Sequence, residues 1–288
     1  MTTPRTDAVR CLSRSGFHTM RYAEWGAADN PRVLLCVHGL TRVGDDFAHL
    51  AADLSDQYRV VCPDVVGRGR SDWLADPNLY GLPQYAFDMT TLIARLNVER
   101  VDLLGTSMGG LIGLSLAGQP NAPIGRLILN DIGPRMELDA LVRIGEYVAK
   151  PPSFADLDEA TQYVRSISLG FGLRTEQQWR QLTETATRFD GSRWVFRYDP
   201  GIAQTLKGTT AEANAAAGAK LWELYDAVRG PALVVRGAES DLLSRATAVE
   251  MTQRGPRAQL TEIPGVGHAP MFFDPDQIAI VRRFLLST

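Results

Sequence analysis

Cysteine is scarce in this chain: Cys11, Cys36 and Cys62 are all it has in 288 residues. An odd, sparse count builds no disulfide framework and fits a reducing compartment. A basic surplus is also missing. Lys and Arg number 30 against 33 Asp and Glu, a formal net charge of −3, so a phosphate backbone is not an expected partner. The first 30 residues hold no apolar core of signal-peptide length, because Arg5, Asp7, Arg10, Arg14, Arg21 and Glu24 interrupt them. No secretory signal is therefore predicted. One charge-free stretch, Leu103 to Gly125, is long enough to span a bilayer. Its six glycines and two prolines break it into strand and helix patterns, so it reads as buried core and no membrane partner is expected. Histidine is sparse as well. A mechanism that needs an imidazole must choose among His18, His38, His49 and His268.

What is present is ordinary for a soluble globular protein: 45% apolar and 22% charged residues, which excludes wholesale disorder. Short apolar runs bounded by Gly, Pro or Asp occur at Val33–Val37, Tyr58–Cys62, Val101–Leu104, Arg126–Leu129, Ala232–Val235 and Gln259–Ile263. Such runs suit strands buried on both faces. Between them lie helical spacings, including Phe47, Leu50, Ala51, Leu54 and Tyr85, Met89, Leu92, Ile93, Leu96. Ile278, Val281, Phe284 and Leu285 make a last amphipathic helix. Alternating strand and helix predicts a parallel sheet covered on both sides. The segments Val9–Leu12 and Phe17–Trp25 read as an edge hairpin.

The alternation stops after Gly133-Pro134 and resumes at Gly230-Pro231. The segment between reads mostly as helix. It includes an Ala-rich helix at Ala213–Ala219, preceded by Thr209 and Glu212 at capping-box spacing. This insertion carries 11 of the 23 aromatics. These rings have two readings, the insertion's own core or the lining of a pocket against the sheet; both can hold for different rings, and the sequence does not say which. The expected division is a core of residues 1–134 and 230–288 and a helical cap of residues 135–229.

The strongest chemical signal is Gly105-Thr106-Ser107-Met108-Gly109, set between a strand and a helix. Gly-x-Ser-x-Gly in that context is a tight turn that exposes the serine hydroxyl above the strand ends. Its small residues, two before and two after the serine, let the turn close. Ser107 then needs a base. His268, on the loop Gly265-Val266-Gly267-His268 after the last strand, is the best placed of the four histidines. The base needs an orienting carboxylate. Asp241, in the loop after Ala232–Val235, fits the order Ser, Asp, His and is favoured; Glu239 and Asp131 are its rivals, Asp131 following the preceding strand. For the oxyanion, the expected donors are the backbone N–H groups of Met108 and Leu40. His38 then braces the Leu40 loop rather than moving protons. Arg42, two residues past Leu40, has two readings. It binds an acidic group on the substrate, or it forms an ion pair with Asp45 or Asp46.

Taken together, His38-Gly39, Asp64 through Ser71-Asp72, the Gly105–Gly109 turn, Asp241 and His268 resemble the α/β-hydrolase family, in its capped, carboxylesterase-like form. The resemblance implies an α/β fold with a mostly parallel eight-stranded sheet flanked by helices, an inserted helical cap, and no metal or organic cofactor. In that family the Gly67-Arg68-Gly69-Arg70-Ser71 stretch is a structural turn. A serine at position 107 disfavours the relatives whose nucleophile is Asp. The resemblance therefore implies a hydrolase of carboxylic esters of small to medium acyl compounds, with lactones a close variant; the sparse cysteines and the lack of a basic surplus agree with a cytoplasmic location. Carbon–carbon bond hydrolysis of a diketone-like substrate is the alternative within enzymes, and a non-catalytic ligand receptor is the alternative outside them. Acyl length, stereopreference and oligomeric state stay open.

Overall fold

The computed structural model describes residues 3–208 and 210–287. Its main sheet begins with β1 (Arg5–Ser13) and β2 (Gly16–Trp25), the expected hairpin, followed by β3 (Val33–Val37). Next come α1 (Ala48–Leu54), β4 (Arg59–Pro63), α2 (Leu82–Leu96), β5 (Val101–Thr106), α3 (Met108–Ala117) and β6 (Ile124–Asn130). The chain then leaves the sheet for α4 (Leu138–Val148), β7 (Ser153–Phe154), α5 (Leu157–Ile167) and α6 (Glu176–Ala186). β8 (Thr187–Phe189), β9 (Trp194–Phe196) and α7 (Ala211–Ala227) follow. It returns through β10 (Ala232–Gly237), α8 (Arg245–Met251), β11 (Gln259–Ile263) and α9 (Pro275–Leu286).

The eight-stranded sheet runs in the order β1-β2-β4-β3-β5-β6-β10-β11. Pairings from β4 through β11 are parallel, and the hairpin joins antiparallel at one edge. The α/β fold with a mostly parallel sheet is thus as expected. Period-2 alternation distributes the strand residues between two cores. Leu35, Leu103, Leu127 and Val234 face one side with α2, α3, α7 and α8. Leu34, Leu104, Ile128 and Val235 face the other with α1 and α9. Each such fully buried side chain contributes roughly 1.5–3 kcal/mol, which is why the runs Val33–Val37 and Ala232–Val235 are apolar on both faces.

The Leu103–Gly125 stretch divides among β5, the ten-residue α3 and the start of β6. No helix among the described residues is long and apolar enough to cross a membrane. All three cysteines are free and buried.

The insertion differs from an all-helical one. β7, β9 and β8 form a small antiparallel sheet. Strands of two or three residues are too short for any periodicity to announce them. The Ala-rich helix is longer than expected, and its cap is Thr210, whose side chain accepts from Ala213 N–H; Thr209 lies outside the described residues. The far end of α7 buries Leu221, Trp222 and Tyr225 in the same cluster as the sheet.

Candidate active site

β5 ends at Thr106 and α3 begins at Met108, so Ser107 alone makes the turn, with φ 52° and ψ −116°. A non-glycine residue held there is strained and persists only where its surroundings enforce it. The two motif glycines do so by close approach. A Cβ on Gly105 would lie 2.3 Å from the Gly109 carbonyl, and one on Gly109 would lie 2.0 Å from the Val37 oxygen. Only glycine lets α3 start this close to β3 and β5.

His268 faces the serine, with Nε2 3.0 Å from Ser107 Oγ. Its other nitrogen, Nδ1, lies 2.7 Å from Oδ2 of Asp131. Here the sequence expectation is corrected: the carboxylate on His268 is Asp131, not Asp241. Asp131 is fully buried directly past the end of β6. Its carboxylate also accepts from Gly237 N–H at 2.7 Å and from the Ser240 hydroxyl at 2.5 Å. Asp241 lies four residues beyond β10, half-exposed, and pairs with Arg143 of α4 at 2.5 Å. The turn after β10 carries it outward, and the group that this loop sends inward is Ser240. Glu239, the other rival, is exposed.

The imidazole's tautomer follows from its partners. A carboxylate on Nδ1 fixes the proton there and leaves Nε2 free to accept from the serine. Asn130 holds the surroundings together and was not singled out in the sequence. Its Nδ2 donates to Thr106 Oγ1 at 2.9 Å and to the Pro270 carbonyl at 2.8 Å, while its backbone carbonyl accepts from Ser107 N–H at 3.0 Å. One residue thereby ties the ends of β5 and β6 to the histidine loop.

The loop after β3 lies beside the nucleophile; a Cβ on Gly39 would be 3.8 Å from that of Ser107. The peptide joining Gly39 to Leu40 is held at its oxygen by His38 Nδ1 at 2.7 Å and Arg42 N–H at 3.1 Å. Because the peptide is planar, fixing the Gly39 carbonyl fixes the direction of the Leu40 N–H. His38 Nε2 accepts from Val65 N–H at 2.9 Å, so this ring serves as a brace. Burial pushes its pKa down to about 4, and it stays neutral. Met108 N–H is the first of α3, where no intrahelical acceptor exists. His18 is buried against Asp88, and His49 meets Gln181 of α6.

Arg42 borders the cleft over Ser107. Its guanidinium grips Asp46 through two bonds of 2.7 Å and also reaches Leu182 O and Thr185 Oγ1 of the insertion. The ion-pair reading with Asp46 is thus present, and it joins the insertion to the core.

Two chambers meet at Ser107. One is bounded by Arg42, Arg143, Tyr147, Phe171 and Phe196. The other, of about 360 Å³, is mainly apolar, bounded by Leu82, Leu111, Ile132, Met136, Leu141 and Leu242, with Lys207 at its edge. Leu40 and Ile144 border both. A serine bonded to a carboxylate-held imidazole, under a concave and partly apolar roof, is an arrangement for nucleophilic acyl transfer.

Comparison with known proteins agrees with this fold. The family model described as alpha/beta hydrolase fold matches residues 32–275. The chain is 53% identical to a 3-hydroxybutyrate-oligomer hydrolase from Cupriavidus necator, over 98% of this chain and 97% of that one. It superposes with a TM-score of 0.87 on an alpha/beta hydrolase from Novosphingobium aromaticivorans, at 34% identity and with 99% of each chain covered. The chain belongs to the alpha/beta hydrolase fold family.

Proposed function

We propose that this chain hydrolyses esters of short hydroxy acids, of the kind that the Cupriavidus necator relative is named for, through an acyl-enzyme on Ser107. The observation that carries the reading is the unbroken relay from Ser107 Oγ through His268 to Asp131, set where the two chambers meet. Ser107 attacks the ester carbonyl while His268 Nε2 takes its proton. Asp131 holds the ring and stabilises the imidazolium. Leu40 and Met108 N–H groups receive the oxyanion. As the ester C–O bond breaks, the leaving alkoxide oxygen collects the proton from His268, and water then releases the acyl group by the same route.

The two chambers suit a substrate with unlike ends. An oligomer of a 3-hydroxy acid carries a carboxylate at one end and small alkyl branches along its length. The branches fit the apolar chamber, and the free acid lies in the other chamber, toward the half-exposed Arg143.

The test uses purified protein with a 3-hydroxybutyrate dimer, its methyl ester and a fluorophosphonate probe. Wild type labels with the probe, and Ser107→Ala neither labels nor turns over. The free acid is cleaved with a kcat/KM at least about tenfold above the methyl ester, as befits a charge-assisted contact of roughly 1.5–3 kcal/mol. Turnover by Ser107→Ala would end the mechanism. Equal kcat/KM for acid and methyl ester would end the assignment of the acid end.

A further inference from the structure

The turn Gly67–Ser71 contains an unusual group. Arg68 has no exposed surface at all, yet among the described residues no carboxylate lies within ion-pair distance of it. Asp64 is committed to Arg70 and to Gly44 N–H, and Asp199 to Tyr80 and Gly201 N–H. Burying a cation without a counter-charge is costly. A fold keeps such a group where its charge and hydrogen bonds serve something.

The partners of Arg68 say what. Nε donates to the Leu40 carbonyl at 2.8 Å, and Nη2 contacts Met108 Sδ at 3.4 Å. Those are the two residues whose N–H groups face the oxyanion in the mechanism above. Nη1 is anchored by the Val66 carbonyl at 2.8 Å and the Tyr85 hydroxyl at 2.9 Å, and the guanidinium stacks 4.9 Å from the Tyr85 ring centre. The turn itself is clamped by the insertion: Gly69 N–H donates to Arg197 O at 2.7 Å, and Asp199 N–H donates to Gly67 O at 2.8 Å.

We infer that Arg68 is a positioning residue for the oxyanion site, a buried cation that locks the Leu40 loop and the Met108 side chain into one rigid unit behind the nucleophile. The inference rests on the acyl-enzyme reading. Its planar fork sets the loop geometry. Its charge, held by neutral acceptors rather than in a direct ion pair, favours negative charge as it develops on the substrate oxygen. A lysine cannot do both, because its single nitrogen cannot span the same acceptors.

The experiment is steady-state kinetics of Arg68→Met and Arg68→Lys on a p-nitrophenyl ester, with inhibition by an alkyl boronic acid as a mimic of the tetrahedral state. For Arg68→Met, kcat falls about 100-fold, the loss typical of one oxyanion donor, while KM changes less than about threefold. The boronic acid's affinity falls in proportion to kcat. Arg68→Lys, which keeps the charge and most of the volume, recovers part of the loss and stays about tenfold below wild type. A purely structural role would lower the melting temperature without this split between kcat and KM. If Arg68→Met does not fold, the same two measurements on Arg68→Lys decide. Wild-type kcat in a folded variant, or an unchanged boronic acid affinity, overturns the inference. Ser107→Ala run alongside keeps the two failures apart. An active Ser107→Ala sinks the acyl-enzyme reading, whereas an inactive one beside fully active Arg68 variants sinks only the role of Arg68.

Discussion

Two aspartates follow neighbouring strands of the same sheet and meet opposite fates. Asp131 sits at the end of β6, fully buried, with Gly237 N–H, the Ser240 hydroxyl and His268 around its carboxylate. Asp241 sits beyond β10, half in solvent, with one arginine of the insertion for company. β6 and β10 are paired in parallel, so both loops open at the same edge, toward the same histidine. A carboxylate can orient an imidazole only if it is held and dry. A strand end alone supplies neither condition; converging donors do.

The largest expected effect breaks the pair apart directly. Asp131→Asn keeps the shape and removes the charge that fixes the His268 tautomer, so kcat falls by about 10⁴, the loss seen for the equivalent change in a serine protease triad. Asp241→Asn stays within about threefold of wild type on neutral p-nitrophenyl esters. Stopped assays on both purified variants decide it. A thousandfold loss in Asp241→Asn beside a mild loss in Asp131→Asn would return the acid to the β10 loop.

This contrast marks where the sequence was readable. The nucleophile turn was legible because it depends on residues within five positions, and Gly105 and Gly109 have no substitutes at 2.0–2.3 Å from backbone. The inner strands were legible because burial on both faces writes an unbroken apolar run, as in Val33–Val37 and Ala232–Val235. His268 was legible because the other three histidines lie on a hairpin, a helix and the strand end that braces Leu40. The acid was not. Ser, Asp, His is the chain order whether the acid is Asp131 or Asp241, and the choice depends on which loop turns inward. The available signal was indirect. Asp131 follows its strand at once, and Asp241 has Ser240 beside it, a hydroxyl able to support a neighbouring carboxylate. The roles of Asn130 and Arg68 were invisible for the same reason, since their partners lie in distant segments.

A moderate effect tests whether the β10 loop's true contribution is Ser240. Its Oγ donates to Asp131 and accepts from Leu242 N–H and Leu243 N–H at 3.3 and 3.2 Å. Ser240→Ala leaves the buried carboxylate one donor short, a loss of roughly 1–3 kcal/mol. Denaturant unfolding shows the destabilisation, and kcat falls about tenfold as the His268 partner loosens. Unchanged stability and activity would mean that Gly237 N–H alone keeps Asp131 in place.

The smallest effect belongs to the exposed pair itself. Arg143 and Asp241 both keep about half their side-chain surface in water, at 56% and 50%. The Asp241 carboxylate beside Arg143 raises the guanidinium's pKa above its ordinary value, but solvent screens most of that interaction. An exposed pair of this kind is worth roughly 0.2–1 kcal/mol, less in salt. A double-mutant cycle with Arg143→Gln and Asp241→Asn should therefore give a coupling below about 1 kcal/mol, shrinking as ionic strength rises. The same Arg143→Gln protein should show its main change elsewhere, in KM for the acid-ended dimer, because the charge that solvent screens at the surface also borders the chamber above Ser107. A coupling above about 2 kcal/mol, insensitive to salt, would mean that Asp241 is held as firmly as Asp131, and the difference between the two loops would then lie in direction alone rather than in burial.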